Sequence, residues 1–367
     1  NGQVYRVDNI SLANNVDGQQ YTIHFVSQTS YRASLLKVNE AHRDRRISSI
    51  AESVFKNYFD KTISERDVER ESLPFGTKKF TINDNYGNLN RSFYLQKTEG
   101  QSRLLIPNYM PSEAMMFLAR KAYSKASPSC MFRFFETLDG YYFVSDEFLL
   151  QRATENGGEK VLFFEAFSSL DALSIEEQEK TIESISFPKR VDTAEDMMYG
   201  SYRVNVLEVN LIRRDANLTT YKYDKFDYKM GNTQDIHNRG FVEETFTDRN
   251  APRYIVYRDY RNEPSYSVPG DSFFKEIAAQ RTMFDRHAKN TMASGNLKGR
   301  LDLMPGQVVN IPLERTSANR NNRVAGKEIA GNYIIHSVSH RSNADNIITT
   351  NLTLMKFDWQ EGYSINV

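Results

Sequence analysis

Apolar and polar residues alternate in several stretches of this chain, and that alternation is the pattern of half-buried β-strands. Two strands are predicted over 4–10 and 21–27, with Asp17-Gly18 as the turn between them. A second alternating block lies in the C-terminal half. Its predicted strands cover 202–213, 297–303, 307–311, 332–339 and 346–356. The pattern therefore favours mainly antiparallel β units towards both ends of the chain.

Helical periodicity appears between and within these blocks. Helices are predicted over 47–58, from Pro111 to Tyr123, from Ser174 towards Ile185, and over 272–292. The ring of Pro111 suits the first turn of a helix, and Ser174 with Glu177 forms a capping box. Asp139-Gly140 predicts a hairpin between two β-rich runs. The polar stretch 60–101 is predicted to be mostly loop.

The charge balance excludes two classes of protein. Lysine and arginine number 47 and aspartate and glutamate number 47 among 367 residues, so the formal net charge is zero. A strongly basic nucleic-acid binder and an acidic mimic of DNA are both incompatible with that balance. The chain also holds 23 Phe and 21 Tyr, a content that disordered chains lack. Because Tyr is amphipathic, we expect some of these residues on surfaces that become buried between subunits.

Cysteine content and hydropathy set two further limits. Cys130 is the single cysteine, which excludes an intramolecular disulfide and a thiolate zinc site. No apolar run reaches the length of about 18 residues that a membrane-spanning helix needs. Because the sequence begins at Asn1 rather than Met, the native start is expected to lie upstream.

Two histidine-containing patterns partly match known functional motifs. His42-Arg43-Asp44 matches the start of the kinase catalytic loop, but Ser49 stands where that loop has its metal-binding Asn. We interpret this segment as the basic start of a helix. His336 and His340 lie four apart on a predicted strand, where they would be roughly 13 Å apart and too distant to share a metal. Surface histidines are therefore predicted.

Paired carboxylates and clustered aromatic residues are the remaining candidates. Hydrolysis of glycosides needs two carboxyl groups facing each other across a cleft. Such pairs are Asp224 with Asp227 and Glu243 with Glu244, and all four lie in polar stretches that favour solvated faces. The aromatic cluster consists of Tyr221, Tyr223, Phe226 and Tyr228. Neighbouring aspartates offset the nearby lysines, which favours a β-surface or a protein contact over base stacking. No catalytic, cofactor-binding or metal-binding residue is predicted. Enzyme activity is not predicted either.

Three segments, in this order and over nearly the whole chain, together resemble the central baseplate hub subunit of contractile-tailed phages. The first covers 4–59 and contains the Asp17-Gly18 turn. The second begins with Leu105-Ile106-Pro107-Asn108 and continues through the helix and hairpin that follow. The third runs from the helix at 272 through Pro305-Gly306-Gln307-Val308-Val309 to the final strand.

The resemblance implies an α+β, mainly β fold with two tube-type antiparallel β-barrels and two inserted mixed α/β segments. The first implied domain, 1–59, is the later part of a first barrel whose start is missing, and it includes helix 47–58. An inserted α/β domain covers 60–195, and the second barrel covers 196–230 plus 291–358. A second insertion covers 231–290 with helix 272–292, and a C-terminal tail covers 359–367.

The resemblance also implies a function. Three copies would form a pseudo-sixfold ring that joins a hexameric tail tube to a trimeric central spike in the virion, after assembly in the host cytoplasm. Baseplate wedge proteins are further implied partners, and DNA would pass through the lumen without sequence-specific binding. The alternatives are the hub of a non-contractile tail tip or of a type VI secretion-like spike, and a tail-associated cell-wall hydrolase.

Overall fold

The computed structural model divides the chain into two compact units, residues 1–145 with 263–277 and residues 146–262 with 278–367. The structure describes residues 5–15, 18–60, 73–83, 90–124, 130–155, 161–163, 165–166, 181–186, 198–200, 203–210, 214–222, 253–259, 277–283, 292–311, 331–342 and 348–356.

The first unit combines three sheets with three helices. Its elements are β1 (Tyr5–Asn15), β2 (Gly18–Ser27), α1 (Gln28–Ser34), β3 (Val38–Arg45), α2 (Ile47–Val54), β4 (Lys78–Asn83), β5 (Asn90–Leu95), β6 (Ser102–Tyr109), α3 (Pro111–Lys121), β7 (Phe132–Glu136) and β8 (Gly140–Ser145). Strands β1 and β2 form a hairpin, β3 pairs with β6, and the third sheet has the order β4-β5-β8-β7. The predicted hairpins at Asp17-Gly18 and Asp139-Gly140 are confirmed.

The helices of this unit begin where local chemistry satisfies their first N–H groups. The Ser27 hydroxyl accepts a hydrogen bond from the Ser30 N–H at the start of α1. In α2, the Ser48 N–H donates to Thr98 Oγ1 at 2.8 Å. Pro111 occupies the first turn of α3, as predicted. The predicted helix over 47–58 is confirmed, because α2 continues into a π-helical turn at Phe55–Phe59.

Stacked aromatic rings form the centre of the first unit's core. Phe55 is fully buried and stacks on Phe93 with ring centroids 4.0 Å apart and on Phe59 at 5.1 Å. Tyr141 meets Phe55 edge-on at 5.0 Å. Residues on both sides of the predicted boundary between 59 and 60 contribute to this core. The domain boundaries implied by the resemblance remain predictions.

Gly140 allows β5 and β8 to lie side by side. These strands pair in parallel, with Gly140 opposite Ser92. A Cβ atom on Gly140 would lie 1.8 Å from the Ser92 carbonyl oxygen, and the glycine has a φ of +147°. Only glycine fits this backbone contact.

Among its described residues, the second unit contains helix α4 (Asp146–Glu155), a helical stretch over 278–283 and eleven strands. The strands are β9 (Val161–Phe163), β10 (Glu165–Ala166), β11 (Thr181–Ile182), β12 (Ser184–Ser186), β13 (Arg203–Asn210), β14 (Asp215–Lys222), β15 (Arg253–Asp259), β16 (Met292–Lys298), β17 (Val308–Ile311), β18 (Gly331–Ser342) and β19 (Ile348–Lys356). A six-stranded sheet has the order β12-β16-β19-β18-β17-β9, and a three-stranded sheet has the order β14-β13-β15. No described helix has both the length and the apolar character needed to span a bilayer.

Aliphatic side chains fill the core on the six-stranded sheet. Tyr333 is the one aromatic residue among the buried members of this cluster. The members are Ile182, Ala293, Leu297, Leu303, Val309, Ile311, Tyr333, Ile335, Leu352 and Leu354. The β character predicted for both ends of the chain is confirmed, and the protein is α+β and mainly β.

Several predicted elements are wrong. Residues 181–182 and 184–186 are strands, so the helix predicted towards Ile185 does not reach it. Residues 277–283 are helical, but Met292 begins β16 and the helix predicted over 272–292 ends too late. The strand predicted over 297–303 ends at Lys298. Strands β4 and β5 lie within the stretch 60–101 that was predicted to be mostly loop.

The pairing is also less uniformly antiparallel than predicted. Four pairs are parallel, namely β5–β8, β9–β17, β10–β11 and β13–β15. Each of the six sheets has two edge strands, so none closes on itself among the described residues. Parallel neighbours need a crossover connection, which the spacing of hydrophobic residues does not reveal.

Candidate functional site

The Glu136 carboxylate, at the end of β7, accepts four hydrogen bonds. The Ser27 and Ser30 hydroxyls donate to its Oε2 at 3.0 and 2.9 Å. Its Oε1 accepts from Arg91 Nη2 at 2.8 Å and from the Tyr141 hydroxyl at 2.9 Å. Both oxygens are therefore occupied, so this Glu136 cluster is an anchor between α1 and the four-stranded sheet rather than a general base.

Arg91 supplies the positive charge of the Glu136 cluster and is only 5% exposed. Its guanidinium lies 4.7 Å from the centroid of the Tyr141 ring, and Nη2 also donates to the Thr137 carbonyl at 2.9 Å. Burial, and then the charge of Glu136, raise the pKa of Tyr141 well above its ordinary value of 10.0. The hydroxyl therefore stays protonated and can donate to the carboxylate. A buried cation of this kind requires its partner, because an unpaired charge is costly.

A second titratable group of side chains lies on the inner face of β3. His42 Nε2 lies 3.1 Å from Glu40 Oε2, but the two atoms are not aligned as a hydrogen bond. Burial, followed by a hydrogen bond to Glu40, raises the pKa of Tyr58. His42-Arg43-Asp44 belongs to β3 and precedes α2, so the prediction that this motif begins a helix is wrong.

The opposite face of the sheet formed by β3 and β6 is polar and exposed. Arg103 Nε donates to Asp44 Oδ1 at 2.7 Å, and Nη2 donates to Oδ2 at 3.2 Å. This pair lowers the pKa of Asp44. Arg43 and Arg45 are exposed on β3, and Leu105 is exposed on β6. We call this the outer face of the β3–β6 sheet.

In the second unit, Thr350 lies between a backbone carbonyl and a histidine. Its hydroxyl donates to the Arg300 carbonyl at 3.0 Å, and its Oγ1 lies 3.0 Å from His340 Nδ1. The Thr350 hydroxyl donates its one proton to the Arg300 carbonyl, so Oγ1 can only accept a hydrogen bond from His340. His340 therefore donates from Nδ1. The Arg300 guanidinium binds Asp302 through two contacts of 2.7 Å and lowers its pKa.

The structure places the other sequence candidates as follows. His336 and His340 both lie on β18, which confirms the predicted strand, and both are exposed. No group of three metal-ligating side chains occurs within the described ranges. Tyr221 is half-buried on β14. Outside the described residues lie Tyr223, Asp224, Phe226, Asp227, Tyr228, Glu243 and Glu244.

The tyrosines whose burial is described do not form an exposed surface. Among those whose burial is described, only Tyr199 is exposed, while Tyr94, Tyr141, Tyr142 and Tyr333 are buried. This distribution does not support the expectation that tyrosines lie on surfaces that become buried between subunits. The Glu136 cluster, in contrast, had no signal in the sequence. Its members come from five elements, and the alignment of Glu136 with Arg91 depends on strand order.

Comparisons with known proteins find similarity at the level of structure. No protein-family model matches the chain, and no curated protein matches it. Among solved structures, the chain is similar to the crystal structure of the tail protein from Neisseria meningitidis MC58. The alignment covers 96% of this chain and 79% of that chain, with 9% sequence identity and a TM-score of 0.49.

Proposed function

We propose that this chain is a structural hub subunit of a phage tail baseplate and acts without catalysis. Three copies form a ring with pseudo-sixfold symmetry, which joins the hexameric tail tube to the trimeric central spike. DNA passes through the ring during ejection. Baseplate wedge proteins bind its periphery, and assembly takes place in the host cytoplasm.

The order of strands in the six-stranded sheet is the observation that carries this proposal. The hub barrels that the sequence resembles use a strand, a Pro-Gly turn, a second strand, a loop and two further strands. Here β16 is followed by a turn at Pro305-Gly306, then by β17, β18 and β19. These four strands lie side by side in the order β16-β19-β18-β17, and each neighbouring pair is antiparallel.

The turn at Pro305-Gly306 is fixed to the sheet, as a barrel corner requires. Gly306 has a φ of +86°, and its N–H donates to the Ile335 carbonyl at 2.8 Å. The Ile335 N–H donates to the Gln307 carbonyl at 2.9 Å. These bonds hold the turn against β18, so β17 enters the sheet in a defined register.

A ring function needs two different surfaces on each subunit, because head-to-tail contacts close a ring. The described edges of the six-stranded sheet are β12 and β9, each three residues long. Such short edge strands cover only part of their neighbours β16 and β17. The edge strands β12 and β9 and the uncovered part of β16 are the places where strands of adjoining subunits are proposed to pair.

Light scattering and pull-down experiments with the purified chain test the proposal. We expect a mass of three times 42.5 kDa, and retention of both a tail-tube protein and a central spike protein. An unrelated trimeric protein in place of the spike is the control. A monomer at every concentration, with neither protein retained, would contradict the hub function.

The absence of catalysis has its own measurement. Purified peptidoglycan incubated with the chain is expected to release no soluble fragments. Release that a single carboxylate substitution abolishes would show a cell-wall hydrolase instead.

A further inference from the structure

The sheet formed by β3 and β6 has only two strands. Within the described ranges, each strand pairs with the other and with no third strand. One side of β3 therefore presents backbone N–H and C=O groups that no described strand uses. Strand β6 contains Pro107, which has no backbone N–H, whereas β3 contains no proline. The edge of β3 is thus the better template for an added strand, as far as the bulge at Asp44.

The outer face of the β3–β6 sheet has an apolar centre. Ala41 on β3 lies opposite Leu105 on β6 in the strand register. Both residues are exposed, and Leu105 is 59% exposed. The inner face of the same sheet buries Val38 and Ile106. Because the inner face already supplies the core contacts of this sheet, Leu105 is not needed for them.

Arginines surround this apolar centre. Arg43 and Arg45 flank Asp44, which has a φ of +54° and lies where the register between β3 and β6 shifts. Arg46 is exposed directly after β3, and Arg103 is exposed on β6. Asp44 is the single acidic residue between Arg43 and Arg46. The local excess of positive charge contrasts with the balance of 47 basic and 47 acidic residues in the whole chain.

We propose that the outer face of the β3–β6 sheet and the edge of β3 bind an acidic, extended segment of a partner protein. The segment adds a strand to β3 through backbone hydrogen bonds. Carboxylates of the segment bind Arg43 and Arg45, each of which can hold a carboxylate through two parallel hydrogen bonds. Leu105 packs against an apolar side chain of the segment. This inference does not depend on the proposed hub function.

A protein segment fits this surface better than nucleic acid does. Phosphate backbones are attracted by extended positive fields, and the chain as a whole has no net positive charge. The exposed Leu105 and the edge of β3 would contribute nothing to a phosphate contact. Both features are useful to a polypeptide, which offers apolar side chains and its own backbone donors.

Fluorescence anisotropy on the full chain tests this proposal with a defined probe. The probe is a labelled peptide in which glutamate alternates with threonine around one central valine. The variant R43E/R45E should weaken binding at least about tenfold, and R43Q/R45Q should weaken it less, because it removes charge without reversing it. The matched control is R120E/R341E, which makes the same charge change at two exposed arginines elsewhere. Unchanged melting curves verify that each variant folds.

Two further probes separate the parts of the proposal. Methylation of alternate backbone nitrogens in the peptide should abolish binding, because it removes the donors needed at the strand edge. A single-stranded oligonucleotide of equal charge should bind more weakly than the peptide. Absence of peptide binding, equal effects of R43E/R45E and R120E/R341E, full binding of the methylated peptide, or tighter binding of the oligonucleotide would each overturn the proposal.

Discussion

The two units of this protein are built on different kinds of interior. In the first unit, aromatic rings stack around Phe55, and a buried cation, Arg91, is held by Glu136. In the six-stranded sheet of the second unit, the core is almost wholly aliphatic, and its arginine–aspartate pair at Arg300 and Asp302 lies at the surface. The stability of the first unit depends on close packing of aromatic rings and on a paired buried charge. The stability of the six-stranded sheet in the second unit depends on strand register. Substitutions of the same type should therefore have unequal costs in the two units.

The largest difference is expected for alanine at two glycines. Gly140→Ala places a Cβ 1.8 Å from the Ser92 carbonyl oxygen, so β5 and β8 must separate. We expect a loss of at least about 4 kcal/mol in the free energy of unfolding, or failure of the first unit to fold. Gly299→Ala has nothing within 4 Å and a φ of +66°, so it should cost about 1 kcal/mol. Urea denaturation measures both, and equal costs would contradict the packing seen at Gly140.

Truncation of one core side chain in each unit gives the next effect. Phe55→Ala removes the ring that stacks on both Phe59 and Phe93, which should cost about 3–5 kcal/mol. Leu354→Ala in the second unit should cost about 2–5 kcal/mol. In hydrogen-exchange measurements, Phe55→Ala should lower the protection of backbone amides within residues 33–143. Loss in β16–β19 instead would show that the two interiors are not distinct.

The two arginine–carboxylate pairs should differ in a third measurement. Glu136→Gln leaves Arg91 buried without a counter-charge and should destabilise the protein by about 1–3 kcal/mol. Asp302→Asn breaks a pair whose aspartate is 59% exposed, and should cost less than about 0.5 kcal/mol. Thermal unfolding at low and high salt checks both values. An Asp302→Asn cost as large as that of Glu136→Gln would remove the contrast between the units.

Alkaline pH gives the smallest predicted effect. Burial raises the pKa values of Tyr141 and Tyr333 above 10.0, and Glu136 raises that of Tyr141 further. The folded state therefore holds these protons more tightly than the unfolded state, so stability is complete below pH 10 and falls as the pH rises above it. We expect a loss of about 1 kcal/mol over the first pH unit from each residue.

Tyr141→Phe and Tyr333→Phe should each remove part of this loss, as measured by urea denaturation at several pH values. Tyrosinate absorption in the folded protein provides a direct comparison, and both residues should titrate above pH 10. Titration of both residues near pH 10 would contradict their buried positions.

The sequence correctly predicted elements whose conformation depends on residues close to one another in the chain. Asp139-Gly140 and the periodic residues of 47–58 led to a correct hairpin and a correct helix. The capping pattern at Ser174 predicted a helix towards Ile185, but residues 184–186 pair with 294–296, more than a hundred residues away in sequence. That pairing outweighs a local preference for helix.

The Glu136 cluster could not be predicted for a related reason. The bond from Ser27 to Glu136 spans 109 positions and the bond from Arg91 spans 45. No spacing rule connects residues at such separations, because their approach depends on which strands are neighbours. The strands β4 and β5 were missed because charged and turn-forming residues surround them in 60–101.

The parallel pairing of β5 with β8 has a consequence for synthesis on the ribosome. When Leu95 has been added, β5 has its hairpin partner β4 but must wait for β8, which begins at Gly140. At about 5–20 residues per second, that wait lasts about 2–10 s. During this interval one edge of a nascent hairpin is open to wrong partners. Ribosome-bound chains stalled before Gly140 should consequently be more sensitive to protease near β5 than chains stalled well beyond Ser145.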